Sequence, residues 1–131
     1  MAQILVDTSG VYALLDEDDE HHRKAASLLR SLPARGLKPL LTSFVVAECH
    51  ALLLSRLGQA TARRWLLSQV WPIERVTADD ESRAWEIIEQ FRDKAFSYTD
   101  ASCFAVMERL KIAVAFGFDP HFEQYGVELL K

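Results

Sequence analysis

The chain has 131 residues, of which 50% are hydrophobic and 26% are charged, as is usual for a soluble globular protein, and its apolar runs are too short to span a bilayer. A formal net charge of −4 argues against a uniformly basic nucleic-acid-binding surface, although acids gathered in one pocket would leave the remaining surface nearly balanced. The length predicts a single domain over residues 1–131. Because the first residues lack the basic and apolar segments of a signal peptide, we expect a cytoplasmic protein with no membrane association.

The two cysteines, Cys49 and Cys103, have neither the Cys-x-x-Cys spacing nor the histidine-rich surroundings of a zinc site. A disulfide is unexpected in a reducing compartment. We therefore expect two buried free thiols that serve as packing residues.

The apolar run Ile4–Val6 ends abruptly at Asp7, and Thr8 and Ser9 follow it. Apolar residues at helical spacing come next, so the pattern predicts a buried strand, a turn that carries the acid, and a helix. In an open parallel α/β sheet, ligands bind at such turns. Asp7 could equally serve only as a helix cap, because Asp is a preferred N-cap residue. The positions of the other acids must distinguish these two roles.

A second acid, Glu48, lies in a predicted helix that spans residues 44–57. A short strand over Leu40–Ser43, preceded by a loop that ends at Pro39, leads into this helix, and Ser43 is the expected cap. Most neighbours of Glu48 are apolar, and an acid buried among them needs an ion pair, hydrogen bonds or a cation. A distant arginine is the alternative partner to a metal ion.

The middle of the chain is predicted to have a structural role only. The pattern predicts a helix over residues 61–70, an edge strand over residues 73–76 and an amphipathic helix that begins near Thr77. The tryptophans of this part could stack on bases, but packing in a core or an interface is their commoner use.

Two further acids follow in the last third of the chain. Asp100 lies in the first turn of a helix that begins near Ser97, where a negative charge is stabilised by the helix dipole. The apolar run 112–116 predicts a buried strand, and Asp119 comes just after its end. Residues 127–130 predict a last strand.

Right-handed crossovers in a parallel sheet bring the turns after its strands to one edge. Asp7, Glu48, Asp100 and Asp119 are therefore expected to converge there. Four carboxylates in reach of one another cannot all stay ionised without a countercharge. Because oxygen-only ligands prefer hard cations, the pattern predicts a Mg²⁺ or Mn²⁺ site.

Four segments, in this order and spacing, resemble the PIN-domain ribonucleases, in particular the small VapC-type toxins of prokaryotic toxin–antitoxin pairs. The resemblance extends over essentially the whole chain and implies a three-layer α/β/α sandwich around a central, mainly parallel, twisted sheet. The segments are Val6–Ser9, Thr42–Ser43 with Glu48 five residues on, Thr99–Ala101, and Phe118–Phe122.

The same resemblance implies a Mg²⁺- or Mn²⁺-dependent endoribonuclease that hydrolyses RNA phosphodiester bonds. Its four acids would be Asp7, Glu48, Asp100 and Asp119, with Thr8, Ser9 and Thr99 as hydrogen-bonding partners of these ligands. Asp100 and Glu48 are both candidates for the proton acceptor. A homodimer and a cognate antitoxin protein, with a segment laid across the active cleft, are the implied partners.

Two other classes of protein compete with this interpretation. A catalytically inactive PIN-like module that binds RNA or protein is the stronger alternative, although the four acids are intact. Haloacid-dehalogenase-type phosphatases also begin with a strand and an Asp, but they carry a second Asp two residues later, where this chain has Ser9. No glycine-rich dinucleotide or P-loop motif occurs, so a nucleotide cofactor is unexpected.

Overall fold

A computed structural model describes residues 2–131. In this part of the chain, five parallel strands form one sheet in the order β3-β2-β1-β4-β5, and the intervening helices cover it. This architecture confirms the predicted α/β sandwich with a parallel sheet. The elements are β1 (Ala2–Val6), α1 (Thr8–Leu15), α2 (His22–Ser31), β2 (Leu37–Thr42), α3 (Ser43–Leu57), α4 (Gln59–Leu67), β3 (Ile73–Glu74), α5 (Ala78–Gln90), α6 (Tyr98–Leu110), β4 (Val114–Phe116), α7 (Pro120–Tyr125) and β5 (Glu128–Leu129).

The central strand β1 is the most apolar part of the sheet. Ile4, Leu5 and Val6 are completely buried, because β2 flanks β1 on one side, β4 flanks it on the other and helices cover both faces. Asp7, which directly follows β1, is therefore attached to a completely buried strand at the centre of the sheet.

Strand β2 begins earlier than the sequence pattern predicts. Pro39 lies within it and is paired with Ile4 of β1. The neighbouring strand β3 pairs only with Leu41 and Thr42, so the missing N–H of Pro39 breaks no ladder on that side. Thr42, rather than the expected Ser43, caps α3 by accepting from the Val45 amide.

Helices α5 and α6 pack side by side and are joined by a charged cluster. Arg109 of α6 donates from Nε and from a terminal nitrogen to the two carboxylate oxygens of Asp80, each at 2.9 Å. Asp80 is only 3% exposed and also caps α5 with Thr77. Burial alone would raise the pKa of Asp80, but the hydrogen bonds from Arg109 and Thr77 lower it below its ordinary value. The cluster therefore keeps a buried carboxylate ionised.

Helix α7 is an addition to the elements that the sequence pattern predicted. Asp119 caps it by accepting from the His121 amide, and Pro120 occupies its first position. The aromatic ring of Phe122 anchors this short helix in the core. Asp119 is thereby held just beyond the carboxyl end of β4.

Two expectations from composition can be compared with this structure. Cys49 and Cys103 are both buried free thiols, as predicted. Between residues 2 and 131, no helix has the length and apolar character needed to cross a membrane.

Candidate metal centre at the carboxyl edge of the sheet

Asp7 lies where β1 ends and caps helix α1. Its Oδ2 atom accepts from the Ser9 amide at 3.3 Å and from Ser9 Oγ at 2.8 Å. Ser9 Oγ in turn accepts from the Phe118 amide at 2.9 Å, in the loop after β4. A Cβ atom on Gly117 would lie 2.9 Å from Ser9 Oγ and 3.0 Å from Asp7 Cβ, so glycine permits the close approach of these two loops. Asp7 is thus fixed by both central strands.

The surroundings of Asp7 perturb the pKa of its carboxyl. It is 3% exposed, and this burial raises its pKa from 3.8 to about 6. The hydrogen bond from Ser9 opposes the rise, and the negative charge of Asp100 adds to it. Burial and a neighbouring carboxylate both disfavour the ionised form of Asp7, so a bound cation would stabilise that form.

Asp100 and Asp119 are brought together by His121. Asp100 occupies the first turn of α6, where its Oδ2 accepts from the Ser97 amide at 3.1 Å. His121 Nδ1 lies 2.8 Å from the same Oδ2 and 3.5 Å from Oδ1 of Asp119. One possible ligand atom from each of Asp100, Asp119 and His121 lies within 4.8 Å of the others. Asp7 and Glu48 lie outside this trio.

Glu48 is exposed on α3, so the expectation that it lies in apolar surroundings is wrong. The buried stripe of α3 consists of Val45, Cys49 and Leu53, and Glu48 falls beside that stripe because successive helical residues are about 100° apart. The carboxylate nevertheless turns towards the site, where Thr8 Oγ1 donates to its Oε1 at 2.5 Å. An arginine partner for Glu48 is not among the ion pairs of residues 2–131.

The buried thiol of Cys103 locates three of the acids relative to one another. Its pKa is raised chiefly by burial, and also by the negative charges of Asp7, Asp100 and Glu48. A charge must lie close to a thiol to affect its ionisation in this way. The three carboxylates therefore all lie near the Cys103 thiol.

The positioning hydrogen bonds of the acids share one pattern. Among residues 2–131, the side-chain hydrogen bonds of each of these carboxylates fall on a single oxygen, which leaves the second oxygen for another partner. The bonded atoms are Oδ2 of Asp7, Oδ2 of Asp100, Oδ1 of Asp119 and Oε1 of Glu48. Carboxylate oxygens that are held in fixed orientations and carry excess negative charge are suitable ligands for a hard divalent cation such as Mg²⁺ or Mn²⁺.

The predicted hydrogen-bonding residues behave differently from one another. Thr8 contacts Glu48, and Ser9 contacts Asp7. The hydrogen bond at Thr99 involves its backbone rather than its side chain and none of the four acids: the Thr99 carbonyl accepts from Ser102 Oγ at 2.7 Å. No role was predicted for His121, because its contact is with Asp100 on another helix.

The geometry defines a parallel α/β fold with acids gathered at the carboxyl edge of its sheet, and the PIN domain family matches residues 4–128. The chain belongs to the PIN domain family. The resemblance drawn from the four sequence segments is thereby confirmed.

Particular relatives extend this assignment. The chain is 36% identical, over 126 residues and 94% of each protein, to the 23S rRNA-specific endonuclease VapC20 of Mycobacterium tuberculosis (strain CDC 1551 / Oshkosh). The crystal structure of M. tuberculosis VapC20, described as a sarcin–ricin loop cleaving toxin, matches with a TM-score of 0.87 at 35% identity and covers 95% of each chain.

Two more distant structures share the fold alone. FitAcB from Neisseria gonorrhoeae matches with a TM-score of 0.70 at 16% identity, over 98% of this chain and 96% of that chain. VapBC2 from Rickettsia felis, bound to a DNA fragment from its promoter, matches with a TM-score of 0.66 at 12% identity, over 98% and 97%.

Proposed function

We propose that this protein is a Mg²⁺- or Mn²⁺-dependent endoribonuclease and the toxin of a toxin–antitoxin pair. The observation that carries the proposal is the set of carboxylates at the sheet edge, each oriented through one oxygen. Asp7 supports it further, because a countercharge would relieve the unfavourable ionisation of this buried acid. The similarity to VapC20 gives the substrate class, a structured loop of ribosomal RNA.

Asp7, Glu48, Asp100 and Asp119 are the residues proposed to hold the metal. A bound divalent ion supplies an activated water and stabilises negative charge on the phosphate and the leaving oxygen. The chain contributes the orientation of the carboxylates: Ser9 fixes Asp7, Thr8 fixes Glu48, and the capping interactions of α6 and α7 fix the other two. Asp100 and Glu48 are the carboxylates proposed to accept a proton.

An antitoxin is the proposed protein partner. An apolar groove of about 460 Å³ lies between α1, α2 and α4 and is lined by residues such as Leu15, Leu29 and Trp65. Val70, at its border, is 87% exposed. We assign this groove to an apolar segment of the antitoxin, because large exposed apolar surfaces commonly mark protein contacts. A Leu29→Glu substitution should then abolish antitoxin binding without loss of cleavage.

The test of the enzymatic proposal is cleavage of a sarcin–ricin loop oligonucleotide by the purified protein. Cleavage should require Mg²⁺ or Mn²⁺, stop in EDTA and be abolished by Asp7→Asn, since an amide is a poor ligand for a hard cation. Asp18→Asn, which changes an exposed acid in the α1–α2 turn, is the matched control and should remain active.

An inert wild-type protein on this RNA and on total ribosomal RNA, with both metals, would reject the nuclease and favour the binding module. Equal cleavage by wild type and Asp7→Asn would show that a contaminating nuclease is responsible or that Asp7 holds no metal.

A further inference from the structure

His121 contacts two of the proposed metal ligands at once. Its Nδ1 atom lies 2.8 Å from Asp100 Oδ2, and its backbone amide donates to Asp119 Oδ1 at 2.9 Å. The side chain of His121 is 27% exposed. Its ring forms a T-shaped pair with the ring of Phe96, with 5.6 Å between the two ring centroids. The ring is therefore held in place by apolar packing as well as by polar contacts.

We propose that His121 is a positioning residue of the metal centre, which fixes the orientation of the Asp100 carboxylate and joins it to Asp119. The inference deepens the proposed function and rests on it. In this role His121 acts through the two carboxylates.

The direction of the hydrogen bond follows from the chemistry of its two ends. A carboxylate can only accept, so the imidazole nitrogen that faces Asp100 and Asp119 must carry the proton. Asp100 Oδ2 then accepts twice, from the Ser97 amide and from His121 Nδ1. With this oxygen held on two sides, the carboxylate cannot rotate freely, and Asp100 Oδ1 is the atom left to face a cation. Hydrogen bonds of this kind orient metal ligands in many proteins.

The contact also links two separate elements. Asp100 lies at the start of α6, whereas Asp119 and His121 lie at the start of α7. His121 Nδ1 adds a direct contact between the two acids, because it lies within 3.5 Å of a carboxylate oxygen of each. Loss of the Nδ1 donor should thus loosen both ligands together.

Two substitutions separate the proposed role from simple packing. Asn carries its amide nitrogen at the position of the imidazole Nδ1, whereas Gln carries it one bond further, near the position of Nε2. His121→Asn therefore retains the donor towards Asp100, and His121→Gln removes it. His50→Gln is the control, because His50 is two residues from Glu48 and so about 200° away around α3.

The experiment measures Mn²⁺ affinity by the loss of the free-ion electron paramagnetic resonance signal, with thermal melts in EDTA to verify that each variant folds. We expect His121→Gln to weaken Mn²⁺ binding by about 10- to 100-fold, and His121→Asn and His50→Gln to retain most of the affinity. Cleavage of RNA should fall in the same order at limiting Mn²⁺ and recover for His121→Gln at saturating Mn²⁺.

Each contrary result has a definite meaning. Equal affinities for wild type and His121→Gln, or equal losses for the Asn and Gln variants, would overturn the positioning role while leaving the nuclease proposal standing. A directly bound nitrogen in the Mn²⁺ spin-echo spectrum that disappears in His121→Gln would replace positioning by direct ligation. Wild-type protein that binds no Mn²⁺ would overturn this inference and the proposed function together.

Discussion

Replacing Asp7 by Asn should stabilise the metal-free protein. Burial raises the pKa of Asp7 from 3.8 to about 6, so the ionised carboxylate is less favourable in the folded chain than in the unfolded one. A shift of this size corresponds to about 3 kcal/mol at neutral pH. Asn caps a helix about as well as Asp, and its amide oxygen can still accept from Ser9.

The effect has a defined pH window. Below about pH 3 the carboxyl is protonated in both the folded and the unfolded chain, and wild type and variant should be equally stable. As the pH rises to about 6, the unfolded chain loses its proton first, and the wild type loses stability relative to Asp7→Asn. Above this pH the difference should stay constant at up to about 3 kcal/mol, or roughly 10 °C in Tm.

The assay is thermal and urea unfolding in EDTA between pH 4 and pH 8. Saturating Mn²⁺ should then reverse the order, because the metal stabilises only a protein that binds it. The exposed Asp18→Asn serves as the control and should show neither effect. Equal stability of wild type and Asp7→Asn throughout this range would refute the argument that burial of Asp7 opposes folding.

Four further predictions concern other parts of the molecule. Asp119→Asn should lose most of the Mn²⁺-dependent stabilisation, which for the wild type is about 3 kcal/mol at a hundredfold excess over Kd; an unchanged response in melts would remove Asp119 from the site. Cys103→Ala should retain RNA cleavage and lose about 1 kcal/mol in urea unfolding, and an inactive but folded variant would contradict this. Light scattering at micromolar concentration should give twice the monomer mass, since Trp85 is 66% exposed, and a monomer would exclude the dimer. Arg109→Met should cost about 2–3 kcal/mol by leaving Asp80 buried without its partner, while activity at 25 °C persists; an unchanged melt would show that Asp80 is stabilised in another way.

The sequence predicted the features that depend on local patterns. The apolar run before Asp7 and the capping signals at Thr77 and Ser97 located β1, α5 and α6, because hydrophobic periodicity and side-chain caps are local effects. Cys49 and Cys103 are buried, as expected for free thiols that serve as packing residues. Three of the acids were expected at strand-to-helix turns or first helical turns, and the structure places them there.

The sequence could not predict features that depend on which elements become neighbours. Apolar residues beside Glu48 suggested burial, but only the packing of α3 decides which side faces solvent, and Glu48 is exposed. Pro39 ended the predicted loop, yet it fits inside β2 because β3 is too short to reach it. His121 acquires its role from Asp100, a residue on another helix, and no local signal reveals that contact.

The hydrogen bond from the Phe118 amide to Ser9 Oγ joins residues that are 109 positions apart. It ties the turn after the first strand to the turn after the fourth, and Asp119 follows directly. On the ribosome, Asp7 is made early and Asp119 late, so the acids cannot assemble until β4 has been synthesised and docked against β1. Such distant pairings form slowly during folding. A nascent or prematurely terminated chain that stops before β4 would therefore lack the assembled set of acids, and the carboxylate edge is complete only when a chain that includes β4 has folded.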